Sequence, residues 1–539
     1  MLYAIGFIAA LSSAIIWLFL KTKNLVSAAF FGRSFWVSLI LYILGLYFED
    51  TALIVKLFLM LPIDVAIFIS ILLLFNRYVT GSKLWFSVVA AVLLAIKFFF
   101  FDRIADGLEW LKRHTLLKEQ STVEQAAPPI ALAGNAELLL DLNTKFTPSQ
   151  LFAKAKAMDL VCRPAFPNMA RPGDTSLDEF YVIDIPDERL SEWQSIAQSF
   201  QVAGLIDGFE VNEVMTIDLP AASPARKNQP SFGLNDPGVS QLWGFGAMQI
   251  HELFDLLKIV QPQKVARIAI LDTGVDGAHE DLQGNFHSTD RSYDTDPVGH
   301  GTHCAGIAAA VSNNGKGIAS FSPNNNFVRV TSIRVLNSFG GGTQQDIING
   351  IIEAADKGAD VISLSLGGPS FDSEQRAYTE AVKYAHQAGA IVVAAAGNAD
   401  TDAVNFAPAN VKGVITVAAL DEQLNKAEFS NHVRNIAMPI AAPGVNIYST
   451  FPKNQYKSLS GTSMATPYVA GLLGVMKALQ PDLTAEEAYQ ILRQTAAIVP
   501  HQKDTGGLIQ PGKAVTALLR WQSPITAATS RSSVLPNSK

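Results

Sequence analysis

Three side chains stand far apart in this sequence and together could do acyl-transfer chemistry: Asp272 in "AILDTGVD", His300 in "GHGTHCAG" and Ser463 in "SLSGTSMATP". A serine hydroxyl is a weak nucleophile at its own pKa. It becomes a strong one when an imidazole takes its proton and a carboxylate holds that imidazole in one tautomer. Attack on a carbonyl leaves an oxyanion, which needs N–H donors. Ser463 precedes an apolar run ending in "LLGVMKALQP". It therefore stands at the mouth of a buried helix, among N–H groups without intrahelical partners and at the positive end of the dipole. Each residue alone has a plainer reading. Asp272 beside "TG" suits a turn, His300 suits a satisfied structural histidine, and Ser460 and Thr462 suit helix capping and packing. Cys304 reads as a small buried thiol.

The elements that must position these groups follow a strict rhythm. From Val265 onward, apolar strand-like runs ("VARIAIL", "VRVTSIRVL", "DVISLSL", "IVVAAA", "VITVAAL") alternate with helical stretches such as "QDIINGIIEAADKGA" and "SEQRAYTEAVKYAHQAGA". Strands apolar on both faces, joined by crossover helices, make a parallel sheet. Sites in such sheets gather at the carboxyl ends of the strands. "DTG", "SLGG" and "GN" each follow a strand in this way.

Ahead of that pattern lies a different one. "ELLLDL", "EFYVIDI" and "FEVNEVMTIDL" read as strands, with a weaker strand near Val161–Phe166, and "PSQLFAKAKAM" and "RLSEWQSIAQSFQ" read as helices. The order β-α-β-β-α-β predicts a ferredoxin-like α+β sandwich over 136–218. The stretches 106–135 and 219–235 are linkers by their Pro, Ala and polar content.

The first 105 residues read as membrane. Apolar runs cover Leu2–Leu20, Val26–Phe48, Leu53–Phe75 and Leu84–Phe101. A span takes about 20 apolar residues, so about four transmembrane helices are expected. Arg33 and Lys56 suit snorkelling at span ends, and Asp64 is an intramembrane charge. Lys21, Lys23 and Arg33, then Arg77 and Lys83, place two loops in the cytoplasm and both ends of the segment outside; Arg103, Lys112 and Arg113 pull the other way. The net charge is −7, which excludes a nucleic-acid role. With two cysteines, Cys162 and Cys304, no disulfide framework exists.

The motifs "DTGVDGAHEDL", "GHGTHCAGIAAAVSNN", "ISLSLGGPS", "VVAAAGN", "AAPGVNIYSTFP" and "SLSGTSMATP", in this order, resemble the subtilisin-like serine peptidases, nearest the thermitase branch. The order Asp, His, Ser is the one known for subtilisin. The resemblance implies an α/β fold over 236–519, a subtilisin-like parallel sheet with helices on both faces, and a disordered tail over 520–539. It implies serine endopeptidase activity with Asp272, His300 and Ser463 as the triad and Asn398 as the oxyanion-hole side chain. His303 falls to a structural role. Ser365, Leu366 and Gly367 are expected along one edge of an extended peptide, and Gly341 and Gly342 along the other. By the same resemblance, a structural Ca²⁺ is expected at Asp236, Asp281 and Asn314, with the carbonyls of Val311, Lys316 and Ile318; oxygen donors suit this ion. Lys316 departs from the family pattern, as does Tyr468 where histidine is usual. The segment 136–218 resembles a subtilisin-type propeptide, so autoprocessing is expected. The whole then reads as a membrane-anchored peptidase with a structural calcium ion; the alternative is a membrane-embedded sensor or scaffold whose subtilase domain binds peptides without cutting them. Its catalytic domain is expected outside the cytoplasm, and its partners are a peptide or protein substrate and the lipid bilayer.

Overall fold

The computed structural model describes residues 136–217, 230–370 and 375–521. The apolar segment 1–105, the linker 106–135, part of the second linker and most of the tail lie outside the described residues. Among the described residues no helix is long and apolar enough to cross a membrane.

The N-terminal part follows the expected order. β1 (Leu138–Leu142), α1 (Pro148–Ala157), β2 (Val161–Pro164), β3 (Phe180–Asp184), α2 (Trp193–Val202) and β4 (Ile206–Val211) succeed one another. Their sheet has the order β2-β3-β1-β4 and its pairs are antiparallel. Successive side chains of a strand point to opposite faces. Leu138, Leu140 and Leu142 pack with Ile196 and Phe200 of α2. Leu139, Phe180 and Val182 face the other way and join a core formed by the helices that follow.

One expectation is corrected. "FEVNEVMTIDL" does not form a single strand. It splits into β4 and a separate β5 (Val214–Thr216), which leaves the first sheet altogether. Between them Asn212 turns inward: its Nδ2 donates to the Ala136 carbonyl at 2.7 Å, and its Oδ1 accepts from the Gln345 N–H at 2.9 Å. Side-chain bonds to such distant partners fix Asn212 between the two strands.

The rest is a six-stranded sheet. Its strands are β6 (Ala266–Asp272), β7 (Val328–Arg334), β9 (Val361–Leu364), β10 (Ile391–Ala395), β11 (Ile415–Leu420) and β12 (Pro439–Pro443). All adjacent pairs are parallel, in the order β12-β11-β10-β9-β6-β7. The helices α3 (His300–Ala309) and α6 (Thr462–Leu479) lie on one face, with every residue of both buried. On the other face lie α4 (Gln344–Asp356) and α5 (Arg376–Gln387). A short strand, β8 (Gly341–Thr343), precedes α4, and a hairpin of β13 (Ile447–Phe451) and β14 (Gln455–Leu459) precedes α6.

Candidate active site

β6 ends at Asp272, which has no solvent exposure, and α3 begins with His300. The His300 ring Nδ1 lies 2.8 Å from both carboxylate oxygens of Asp272. That approach requires a glycine next in the chain. A Cβ on Gly301 would come within 2.1 Å of the Gly274 carbonyl and 3.0 Å of the Asp272 Cβ. Burial opposes charge on His300, yet Asp272 beside it and Asp296 nearby outweigh burial and raise its pKa above the ordinary 6.5. Its Nε2 is buried and has no hydrogen-bond partner. An imidazole with one nitrogen bound to a carboxylate and the other unengaged is set up as a base.

Ser463 lies in the first turn of α6, as its position before the apolar run predicts. The capping expectation is corrected. The N-cap is Gly461 (φ 148°), a conformation that side chains rarely adopt, and no side chain caps it. Ser460 instead accepts from the Asn446 N–H at 3.0 Å. The Thr462 N–H and hydroxyl both donate to the Asn398 Oδ1, at 2.9 and 2.8 Å. With its oxygen held there, the Asn398 amide nitrogen comes 3.5 Å from where a Gly461 Cβ would sit. Asn398 thus brings its amide nitrogen beside the start of α6.

The Ser463 hydroxyl donates to the Ser365 carbonyl at 2.9 Å, and the Ser365 hydroxyl donates to the Ser463 carbonyl at 2.9 Å. That carbonyl is available because Pro467, four residues on, has no N–H to bond it. The Cys304 thiol also donates to it, at 3.4 Å. Asp272, His300 and Cys304 bring ligand-type atoms within 4.8 Å of one another. A metal there needs a thiolate, and burial holds this thiol well above its ordinary pKa. The His303 Nε2–H donates to the Lys457 carbonyl (3.0 Å), and burial pushes the pKa of His303 down to about 3, which keeps it neutral. Tyr468 is buried with its ring 5.9 Å from that of Phe321.

The two glycine-rich edges come together around one strand. Val214, Met215 and Thr216 of β5 pair antiparallel with Thr343, Gly342 and Gly341 of β8. On its other side Thr216 bridges antiparallel to Gly367, and the Ile217 N–H donates to the Gly340 carbonyl at 3.1 Å. A Cβ on Gly368 would meet the Met215 sulfur at 2.9 Å. Met215 is fully buried among Leu336, Ile347 and Leu366. Two further polar ties hold this arrangement. Glu210 accepts from the Gln344 amide (2.6 Å) and from the Ala377 N–H (2.9 Å) near the start of α5. The carboxylate of Asp141 pairs with Arg376. Sequence reasoning missed all of these contacts, because no local pattern marks which polar residues of one segment will cap the helices of another.

A third cluster gathers the expected metal ligands. Asp281 has no solvent exposure and accepts from the Asn314 Nδ2 (2.7 Å) and the Ile318 N–H (2.8 Å). Asp236 accepts from the N–H groups of Asn313 and Asn314, at 2.8 and 2.9 Å. The Val311 N–H donates to the Asp281 carbonyl at 2.8 Å. Burial drives Asp281 up to about 7; the donors from Ile318 and Asn314 oppose this, and the charges of Asp236 and Glu280 add to it. The Lys316 ammonium turns to Glu280, 3.3 Å away, and among the described residues no basic side chain pairs with Asp236 or Asp281.

The family model described as "Subtilase family" matches residues 263–519. The chain is 49% identical over 216 residues to thermitase of Thermoactinomyces vulgaris, covering 39% of this chain and 74% of that protein. It is 42% identical over 237 residues to subtilisin DY of Bacillus licheniformis, covering 43% of this chain and 83% of that protein.

Proposed function

Since the chain belongs to the subtilase family and is a serine endopeptidase, we propose that it cuts peptide bonds with Ser463 as nucleophile, His300 as base and Asp272 as the orienting carboxylate. We further propose that it cuts itself free of a membrane-anchored prodomain. The single observation that carries this reading is β5, a strand of the protein's own prodomain lying between Gly341–Thr343 and Gly367 as an extended substrate would.

The antiparallel register supports a specific bond. Thr216 stands opposite Gly367. Carried two steps further, the same register would set residue 218 against Ser365, whose carbonyl holds the Ser463 hydroxyl. A peptide N–H arriving at that carbonyl displaces the hydroxyl, which turns to the open His300 Nε2. Ser463 then attacks the carbonyl carbon of residue 218, and its proton passes to His300. Asp272 stabilises the imidazolium so formed. The Asn398 amide and the Ser463 N–H receive the developing oxyanion. Collapse breaks the bond before Leu219, and His300 returns the proton to the leaving amine. Water repeats the sequence in reverse to free Ser463.

Asp236, Asp281 and Asn314, with the carbonyls of Val311, Lys316 and Ile318, fit a structural calcium ion. Two buried carboxylates meet there without a cation, and a half-turn of the Asn314 amide presents its oxygen. The ion would supply charge neutralisation and no chemistry. The apolar runs of 1–105 support a membrane anchor, with the peptidase outside the cytoplasm.

Labelling with a fluorophosphonate probe and fractionation test the whole reading. The parent protein should label at Ser463 and yield a soluble fragment beginning at Leu219. Ser463→Ala should stay dark and remain one full-length membrane species. A parent that stays intact while hydrolysing peptides would show the anchor to be permanent.

A further inference from the structure

Asp296 lies four residues before His300 and is buried, at 7% exposure. Neither the nucleophile's chemistry nor the metal cluster uses it. Its carboxylate accepts five hydrogen bonds. Oδ1 takes the Thr273 hydroxyl (2.8 Å), the Val298 N–H (3.1 Å) and the Gly299 N–H (2.8 Å). Oδ2 takes the Thr302 N–H and the Thr302 hydroxyl, both at 2.8 Å. Every partner donates, which suits a group that only accepts.

These five bonds are not a simple helix cap. Val298, Gly299 and Thr302 belong to the entry and first turn of α3, whereas Thr273 directly follows Asp272 at the end of β6. The Thr273 N–H in turn donates to the Asp272 Oδ1 at 2.7 Å, and its hydroxyl oxygen accepts from the Gly301 N–H at 3.2 Å. One buried carboxylate thus ties the strand that carries the orienting acid to the helix that carries the base. We propose that Asp296 is a positioning residue for the peptidase reaction, setting the Asp272–His300 pair through Thr273 and lending a second negative charge to the protonated imidazole. This rests on the reading of Asp272, His300 and Ser463 as the triad.

Among the described residues, the charged and titratable groups around the imidazole are Asp272 from β6, Asp296 from the preceding loop, and His303 and Cys304 from its own helix. Of the two carboxylates only Asp272 touches the ring. Removing the charge of Asp296 should make His300 easier to deprotonate, so the acid limb of kcat/KM should move to lower pH. A purely structural loss scales activity at every pH and leaves that limb in place.

The test starts from the full-length chain, left to process itself, and a chromogenic peptide. Asp296→Asn should shift the acid limb to lower pH and lower kcat about tenfold or more, since small misplacements of catalytic groups are costly. Thr273→Val keeps the charge and nearly the shape but cuts the tie to β6. It should lower kcat about tenfold with KM within about twofold, and Thr273→Ser should restore kcat. Fluorophosphonate labelling counts folded sites in each variant. An unmoved acid limb in a fully labelled Asp296→Asn protein would overturn the proposal, and so would equal kcat for Thr273→Val and Thr273→Ser. If Asp296→Asn does not fold, the threonine pair decides. Activity persisting in Ser463→Ala would sink the triad reading itself; an inactive Ser463→Ala beside a wild-type pH profile in Asp296→Asn sinks only this inference.

Discussion

The segment proposed as a prodomain and the peptidase domain bury their strands in opposite ways. The six-stranded sheet of the peptidase is covered on both faces by helices from its own sequence, α3 and α6 on one side and α4 and α5 on the other. The prodomain sheet has its own helices on one face only. Its other face, with Leu139, Phe180 and Val182, shares a core with Ile348, Ile352 and Tyr378 of the peptidase. One region closes its own core; the other borrows half of one. If the proposed release occurs, that apolar face is exposed to water, at about 25 cal/mol per Å². Under that proposal, the same side chains would set both the grip before release and the cost after it.

The comparison can be sharpened by perturbing chemistry and docking separately. Asn398→Ala should lower kcat about 10²–10³-fold with little change in KM, because the amide acts on charge that develops only in the transition state. The grip of the prodomain should not change, since β5 contributes no oxyanion. A kcat within about twofold of the parent would remove Asn398 from that role.

A smaller effect is expected at the shared face. Leu139→Ala leaves a cavity between the two regions and should cost about 2–5 kcal/mol, which weakens inhibition by the retained prodomain about 30-fold or more. Leu140→Ala, one residue on and facing α2, should lower the stability of the prodomain itself. If both variants weaken inhibition equally, the two faces are not distinct in function.

The smallest effect concerns the peptidase alone. Chelation should lower its unfolding temperature by a few degrees, because an ion bound only to the native state stabilises it by about 2.7 kcal/mol at a hundredfold excess over Kd. Asp281→Ala should abolish most of that difference and leave the prodomain contacts unchanged. A chelator that changes nothing in the parent removes the cluster around Asp281 from metal binding.

Much of the peptidase domain was legible because its physics is local. Fully apolar runs announce strands buried on both faces, and "DTG", "GHGTH" and "SGTSMATP" each sit where a strand ends or a helix starts. The prodomain was legible only as a pattern of elements. "ELLLDL" gives no sign that Leu139 and its neighbours serve different cores, because both faces demand leucine. The break between β4 and β5 was hidden for a related reason. Asn212 ends the strand through partners at Ala136 and Gln345, distant in sequence. Asp296 had a usable signal, an acidic residue just ahead of a helix start, but such residues usually cap and nothing more. Its bond to Thr273 appears only once β6 and α3 are side by side.

Pro467 has a consequence for where Ser463 sits along its helix axis. A slide of α6 by one residue would move every side chain about 1.5 Å, while Pro467 would still free the carbonyl of Ser463 and no other. That carbonyl would lose the hydroxyl of Ser365 and the thiol of Cys304, and the one brought beside them would already be bonded within the helix. The missing N–H therefore works as a length standard. It marks one turn of the helix as the only one that fits the neighbouring strand end, and so meters the nucleophile's distance from the cleft.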